Sequence, residues 1–124
     1  QDPGPLNLMG RLSFVFPNPH DIFLHDTPDR ALFDQDIRTF SEGCVRIEKA
    51  MALALYLLRR APDWTAGRIE AEIDALHHQN LALPEPLPVF VLYLPAWVAD
   101  DGQAHFRGDP YQRERALASR YPAR

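Results

Sequence analysis

Apolar and polar residues alternate in short stretches near the start of the chain. Residues 12–16 are rich in aromatic side chains, which favours a strand. The Pro17-Asn18-Pro19 segment predicts a turn, and residues 22–24 then predict a second short strand. This strand ends beside His25, and the ends of strands are where a rigid scaffold presents functional side chains. A short helical turn is predicted at residues 30–33, followed by a loop.

The middle of the chain has the periodicity of two helices. In residues 48–60, apolar side chains recur at i, i+3 and i+4, arginines occupy the last turn, and Pro62 follows as a stop. A second helix is predicted over residues 66–78, with Thr65 as its N-cap. Its expected buried stripe consists of Ile69, Ile73 and Leu76.

The last third of the chain favours strands again. Residues 81–83 predict a short strand, and the continuous apolar run at 89–94 predicts a central strand buried on both faces. Asp100-Asp101-Gly102 is a strong hairpin signal between strands predicted at 96–98 and 105–107. A short helix is also predicted near the C-terminus. Together these elements indicate a mainly β fold with helices, in the α+β class.

Composition narrows the class of protein without naming a function. The 124 residues are 46% hydrophobic and 24% charged, as expected for one globular domain with a real core. The net charge of -4 gives no electrostatic reason to expect nucleic-acid binding. The chain begins at Gln1 without a Met or an apolar leader, which suggests a processed protein or a fragment. Its one cysteine cannot form an internal disulfide and leaves a free thiol.

That cysteine lies in the segment Ser41-Glu42-Gly43-Cys44-Val45-Arg46, and His25 lies upstream. A thiolate can attack a carbonyl carbon, and a neighbouring imidazole can take the thiol proton and return it to a leaving amine. Gly43 permits a tight turn, so the amides of Gly43 and Cys44 are candidates for an oxyanion hole. The planar guanidinium of Arg46 is suited to a substrate carboxylate.

Each of these residues also has an ordinary structural explanation. A lone cysteine is more often a small buried apolar side chain, and an isolated arginine is more often an ion-pair partner. Spacing alone does not select His25, because the chain carries four further histidines: His20, His77, His78 and His105. The adjacent pair on the predicted second helix points in different directions and is a poor metal site.

The combination of motifs resembles the L,D-transpeptidases with a YkuD-type catalytic domain, and within them the large YcbB-like branch. The specific signal is His25-Asp26-Thr27-Pro28 followed by Ser41-x-Gly43-Cys44-x-Arg46. Weaker similarities extend over nearly the whole chain: Pro3-Gly4-Pro5-x-Asn7-x-x-Gly10-Arg11, Phe16-Pro17-Asn18, Leu32-Phe33, Arg38, Pro88-Val89-x-x-Leu92-Tyr93 and Asp101-Gly102. Position 42 is Glu where the family commonly has Ser or His, and we expect this carboxylate to point outward.

The resemblance implies a β-sandwich-like core with packed helices and a site in which Cys44 is the nucleophile. It implies that His25 is the general base and acid, oriented by the backbone carbonyl of Asp26. Gly43 would supply an oxyanion amide. Ser41 would shape the loop, and Arg46 would contact substrate. No metal or organic cofactor is implied.

The resemblance also implies a reaction and a place in the cell. The expected reaction is peptidoglycan 3→3 cross-linking in the bacterial periplasm, through a cysteinyl thioester formed as D-alanine leaves a tetrapeptide stem. Carbapenems would acylate the thiol. Residues 1–124 would be the C-terminal portion of the catalytic domain, with further strands supplied by an upstream part of the same protein.

Three alternatives remain open from the sequence. Water as the acceptor would give an L,D-carboxypeptidase or endopeptidase, and an inert cysteine would leave a non-catalytic wall-binding module. A generic cysteine protease would usually have an Asn or Asp that orients the base, and none is identifiable.

Overall fold

A computed structural model describes residue 4 and residues 6–113 of the chain. The chain divides into two compact units, residues 1–86 and residues 87–124. The predicted C-terminal helix lies mostly outside the described residues. Both strands and helices are present, which confirms the mixed α+β class.

The first unit contains a three-stranded sheet of very short strands in the order β1-β2-β3: Ser13–Phe14, Leu24–His25 and Val45–Arg46. β1 runs antiparallel to β2, pairing Ser13 with His25 and Phe14 with Leu24. β2 runs parallel to β3, pairing Leu24 with Val45 and His25 with Arg46. The two predicted strands are therefore confirmed, although both are shorter than the sequence indicates and His25 lies within β2.

The turn between β1 and β2 is closed by one amide side chain. Asn18 donates from Nδ2 to the carbonyls of Phe16 and Ile22, at 3.0 and 2.6 Å. Its Oδ1 accepts from the amides of His20 and Ile22, at 3.0 and 3.1 Å. Because asparagine satisfies the backbone of the turn in this way, the chain reverses direction and β2 can pair with β1.

Two helices follow the sheet, α1 at Ala50–Leu57 and α2 at Ala66–Asp74. The Thr65 side chain accepts from the amide of Arg68 at 3.3 Å, which confirms the predicted N-cap. Both helices are shorter than predicted. α2 ends before Leu76, which adopts φ +56° and is 55% exposed, so Leu76 does not belong to the buried stripe.

The core of the first unit lies where the helices meet one face of β1. Ala54, Leu58 and Ile69 are buried, and Phe14 is among the partly buried side chains that pack against them. Since neighbouring residues of a strand point to opposite faces, Phe14 and Leu24 face the helices. The same alternation places Ser13 and His25 on the other face of the sheet.

A 3-10 helix, Arg30–Asp34, follows β2 and confirms the predicted short helical turn. Asp29 occupies its N-cap position without a side-chain hydrogen bond. The Thr27 hydroxyl instead accepts from the amide of Asp29 at 3.2 Å, just ahead of the helix. This turn returns Arg30 towards β2.

The second unit contains an antiparallel hairpin of β4, Ala96–Val98, and β5, Ala104–Phe106. Trp97 pairs with His105, and their rings stack with centroids 5.2 Å apart. The turn closes with a hydrogen bond from the Gly102 amide to the Ala99 carbonyl at 2.9 Å, and Gly102 has φ +81°. The predicted hairpin is confirmed.

Two predicted strands are wrong. Residues 81–83 and 89–94 form no strand, and in the second segment Phe90 is 79% exposed and Leu92 is 70% exposed. A strand needs a neighbour for its backbone groups, and no described segment pairs with either of these stretches. Among the described residues, no helix has the length and apolar character needed to cross a membrane.

Candidate functional site

The parallel pairing of β2 and β3 brings the two chemical segments together. Val45 donates from its amide to the Phe23 carbonyl at 3.1 Å, and Ile47 donates to the His25 carbonyl at 2.8 Å. Cys44 immediately precedes β3, so it lies on the same face of the sheet as Arg46, and Arg46 is paired with His25. Residues that are nineteen positions apart in sequence therefore share one surface.

The histidine of this pair is buried and held in one orientation. His25 is 5% exposed, and its Nδ1 lies 2.5 Å from the carbonyl oxygen of Asp26. A carbonyl can only accept, so Nδ1 carries a proton, and whenever the ring is neutral Nε2 is the nitrogen without one. The Phe23 ring lies 6.0 Å from the imidazole on the same face. A neutral imidazole with a free Nε2 can accept a proton from a thiol.

Asp26 is held as firmly as the histidine that precedes it. The residue is 4% exposed, and its amide donates to the Leu12 carbonyl at 2.8 Å. Its carboxylate accepts from the Arg11 amide at 3.0 Å and from the Arg30 guanidinium at 2.6 Å. A buried carboxylate needs such donors, because leaving it unpaired away from water is costly.

The loop before Cys44 is closed by its own side chain. Ser41 donates from Oγ to the Cys44 carbonyl at 2.6 Å. Gly43 has φ +154°, which a residue with a Cβ rarely adopts, although the nearest atom that a Cβ would meet is Ile22 Cγ1 at 3.5 Å. Conformation, rather than lack of space, therefore favours glycine at this position. Glu42 is exposed, and Cys44 is a free thiol of intermediate burial.

Arg46 has an unusual hydrogen-bonding state. Its Nη1 donates to the Phe40 carbonyl at 3.3 Å, whereas its Nε is buried without a partner among the described residues. Buried guanidinium nitrogens are normally paired, so this unpaired Nε is an exception among the buried polar side-chain atoms of the described residues. The predicted contact of Arg46 with substrate stays a prediction.

A wide groove of the first unit lies elsewhere. It has a volume of about 1220 Å³ and runs beside β1 and α2, where Phe14, Trp64 and Ile69 contribute to its lining. Neither His25 nor Cys44 lines it. The thiol and the imidazole are therefore separate from this groove.

Two residues of the site region were not recognised as such in the sequence. The sequence places Arg30 within a predicted helical turn and Gly10 within the weaker motif Pro3-Gly4-Pro5-x-Asn7-x-x-Gly10-Arg11, with no site role for either. A Cβ on Gly10 would lie 2.6 Å from the Cβ of Asp26, so this glycine permits a close backbone approach. For Arg30, the opposite charge four residues after Asp26 was the available signal.

Two comparisons with known proteins identify the family of this chain. The family model described as "YkuD: L,D-transpeptidase catalytic domain" matches residues 1–67, a range that contains His25, Cys44 and all three strands of the first sheet. A protein of Haemophilus influenzae named "Putative L,D-transpeptidase" is 38% identical over 90 residues, which is 73% of this chain.

The chain therefore belongs to the YkuD family of L,D-transpeptidase catalytic domains. The part that aligns with the relative from Haemophilus influenzae spans 18% of the length of that protein. The similarity extends past the family match into the second half of the chain, because 90 residues are aligned.

Proposed function

We propose that this chain is the part of a peptidoglycan L,D-transpeptidase that carries the nucleophile, acting in the cell envelope on the periplasmic side. Cys44 is the nucleophile and His25 the general base and acid. The donor is a tetrapeptide stem and the acceptor is the side-chain amine of a second stem. Residues 1–124 are the C-terminal portion of the catalytic domain in this proposal, and an upstream part of the same protein completes it.

The first half of the reaction forms a thioester. Nε2 of His25 takes the proton of the Cys44 thiol, and the sulfur attacks the carbonyl carbon of the third stem residue. The oxyanion that forms is stabilised by the amides of Gly43 and Cys44. The bond from that carbon to the nitrogen of D-alanine breaks, and His25 gives its proton to the departing amine.

The second half transfers the acyl group. The amine of a second stem attacks the thioester carbon and loses a proton to His25, so an amide bond forms as the carbon–sulfur bond breaks. The thiolate leaves and recovers its proton from His25. The product is a 3→3 cross-link, and both side chains return to their starting states. Arg46 holds a stem carboxylate, and Ser41 keeps the loop closed.

The observation that supports this proposal best is the contact of 2.5 Å between Nδ1 of His25 and the carbonyl oxygen of Asp26. A buried imidazole whose Nδ1 donates to the Asp26 carbonyl has its free nitrogen available for a proton, as a general base requires. His25 pairs with Arg46 across β2 and β3, and Cys44 lies two residues before Arg46, immediately ahead of β3. Membership of the YkuD family agrees with these roles.

The test is the intact mass of the protein after exposure to a carbapenem. Attack by a thiolate opens the β-lactam ring, forms a carbon–sulfur bond and leaves the proton on the ring nitrogen. The mass therefore rises by the full mass of the carbapenem. We expect one adduct on the unsubstituted protein, here called the original chain, and none on Cys44→Ala.

His25→Ala tests whether His25 acts as the general base. We expect acylation to slow by about 10²–10⁴-fold, which is the usual contribution of a positioned general base. His20→Ala is the matched control, because His20 is an exposed histidine in the turn between β1 and β2. Acylation of His25→Ala at the original rate would remove His25 from the mechanism.

Incubation with a tetrapeptide stem identifies the acceptor. A cross-linked dimer with free D-alanine supports the transpeptidase. A tripeptide stem with free D-alanine, and no dimer, would instead indicate an L,D-carboxypeptidase. Folded chain that forms no adduct and no product would contradict the proposal and favour a wall-binding module.

A further inference from the structure

The orientation of His25 depends on a single carbonyl group. Nδ1 donates to the carbonyl oxygen of Asp26 at 2.5 Å, within the residue pair 25–26. A local contact of this kind fixes the ring only if the carbonyl itself cannot rotate. The structure therefore has to hold the peptide that follows Asp26 by other means.

The carboxylate of Asp26 provides that hold, because its two oxygens are bound by two different segments of the chain. Oδ2 accepts from the amide of Arg11, which lies beside β1. Oδ1 accepts from Nη2 of Arg30 at 2.6 Å, at the start of the 3-10 helix. The side chain of Asp26 is 6% exposed, so water competes weakly for these contacts.

Arg30 reaches a third segment as well. Its Nη1 donates to the carbonyl of Glu48 at 2.6 Å. Glu48 follows Ile47, whose amide donates to the carbonyl of His25 at 2.8 Å. The guanidinium thus bridges Asp26 to Glu48, two residues beyond β3 and next to Ile47, which already binds the backbone of His25. A planar fork is suited to two acceptors at fixed positions.

Gly10 holds Asp26 from a further direction. With φ +67°, its backbone approaches so closely that a Cβ would lie 2.6 Å from both Cβ and Oδ2 of Asp26. It would also lie 2.7 Å from the carbonyl carbon of Asp26. This is the carbon that bears the oxygen contacting His25, so any side chain at position 10 would displace that carbonyl.

We propose that Arg30 and the side chain of Asp26 are positioning residues that fix the His25 tautomer through the Asp26 carbonyl. Neither side chain touches the thiol in this proposal; each acts through the peptide that orients the imidazole. The inference deepens the proposed function and rests on His25 as its base. It assigns a role to the Asp26 carboxylate, where the motif implied a role only for the Asp26 backbone carbonyl. It also assigns a role to the Arg30 guanidinium, which the sequence placed only in a helical turn.

Arg30→Met tests the proposal, because it removes both hydrogen bonds and the charge while keeping an aliphatic side chain. Arg59→Met is the matched control: Arg59 also donates to a backbone carbonyl, that of Tyr56, and covers its ring, but it lies beyond α1. Arg30→Lys keeps the charge without the fork, so it should recover part of the effect.

The first measurement is the ¹⁵N spectrum of the His25 imidazole, recorded at a pH at which the ring is neutral. The original chain and Arg59→Met should have one tautomer, with the proton on Nδ1. Arg30→Met should give signals averaged between both tautomers, and Arg30→Lys should lie between. An ion pair that served only stability would not change the tautomer of a folded chain.

The second measurement is the rate of carbapenem acylation of Cys44. A base displaced by about 1 Å can cost on the order of 100-fold in rate, so we expect a loss of that size in Arg30→Met. Circular dichroism checks that each variant is folded. If Arg30→Met does not fold, Arg30→Gln, which keeps a polar side chain, replaces it in both measurements.

The two measurements distinguish failure of the positioning role from failure of the proposed function. A single Nδ1-protonated tautomer together with the original acylation rate in a folded Arg30 variant would overturn the positioning role. If the original chain is not acylated at all, the proposed function fails. The imidazole spectrum of the variants would then still decide whether Arg30 fixes the tautomer.

Discussion

The two compact units differ in whether their apolar side chains are buried. In the described part of the first unit, Ala54, Leu58 and Ile69 are buried between the helices and the sheet. In the described part of the second unit, Phe90 and Leu92 are mostly exposed, although they belong to a continuous run of six apolar residues, 89–94. Apolar composition therefore does not by itself produce a core.

The difference follows from where each segment finds its partners. β2 pairs with β1 on one side and with β3 on the other, so its backbone groups are satisfied within the first unit. Residues 89–94 belong to neither of the two sheets of the described residues. The described part of the second unit contains the hairpin of β4 and β5, which depends on local turn contacts.

Gly10→Ala should have the largest effect on this comparison, because it disrupts a long-range contact in the first unit. The new Cβ would lie 2.6 Å from two atoms of Asp26, and φ +67° is unfavourable for alanine. Overpacking of about 1–3 kcal/mol and a left-handed conformation of about 1–2 kcal/mol together predict a severe loss of stability. Urea unfolding followed by circular dichroism measures it.

Gly67→Ala is the control for that substitution. Gly67 lies in α2 without a positive φ, and a Cβ there would meet nothing within 4 Å. Alanine should leave stability unchanged or raise it by up to about 1 kcal/mol, since it is the better helix former. Equal urea midpoints for the two variants would mean that Gly10 is not constrained by Asp26.

Ile69→Ala compared with Leu92→Ala tests the two units against each other. Ile69 is 4% exposed, so its truncation should cost about 2–5 kcal/mol in the free energy of unfolding. Leu92 is 70% exposed, and its truncation should stay within about 0.5 kcal/mol. If both variants lose similar stability in urea, residues 89–94 are packed in solution and the contrast between the units is wrong.

Gly102→Ala should have the smallest effect, confined to the hairpin. Its φ of +81° closes the turn between β4 and β5, and alanine there should cost about 1 kcal/mol locally. Gly108→Ala is the control, because Gly108 has no positive φ and no atom near a new Cβ. Amide hydrogen exchange of β4 and β5 should rise in the first variant alone; unchanged exchange would contradict the role of the turn.

Several elements could be predicted because their signals are local. Thr65 and the periodic pattern behind it identified α2, and Asp101-Gly102 identified the hairpin. The ends of the elements were less predictable. Helix α2 ends at Asp74, and two residues later Leu76 adopts a positive φ, a conformation that usually requires glycine and that the sequence therefore did not indicate. The strand predicted at 89–94 failed because pairing depends on a second segment, which a run of apolar residues does not specify.

The site residues that belong to sequence motifs could be predicted. His25, Ser41, Gly43, Cys44 and Arg46 were selected from the sequence, and their chemical roles stay predictions that the acylation experiments address. Nothing in the spacing of Gly10 and Arg30 marked them as neighbours of Asp26. Gly10 approaches Asp26 from a segment that is distant in sequence, and Arg30 reaches Asp26 across an irregular turn.

The sequence by itself determined the family, the candidate nucleophile with its base, and the elements that have local signals. Only the tertiary structure decided which residues surround Asp26, which nitrogen of His25 is free and which apolar residues are buried. The physical reason is that caps, turns and helical periodicity arise from neighbouring residues. Strand register, burial and hydrogen bonds to a buried carboxylate arise from the meeting of distant segments.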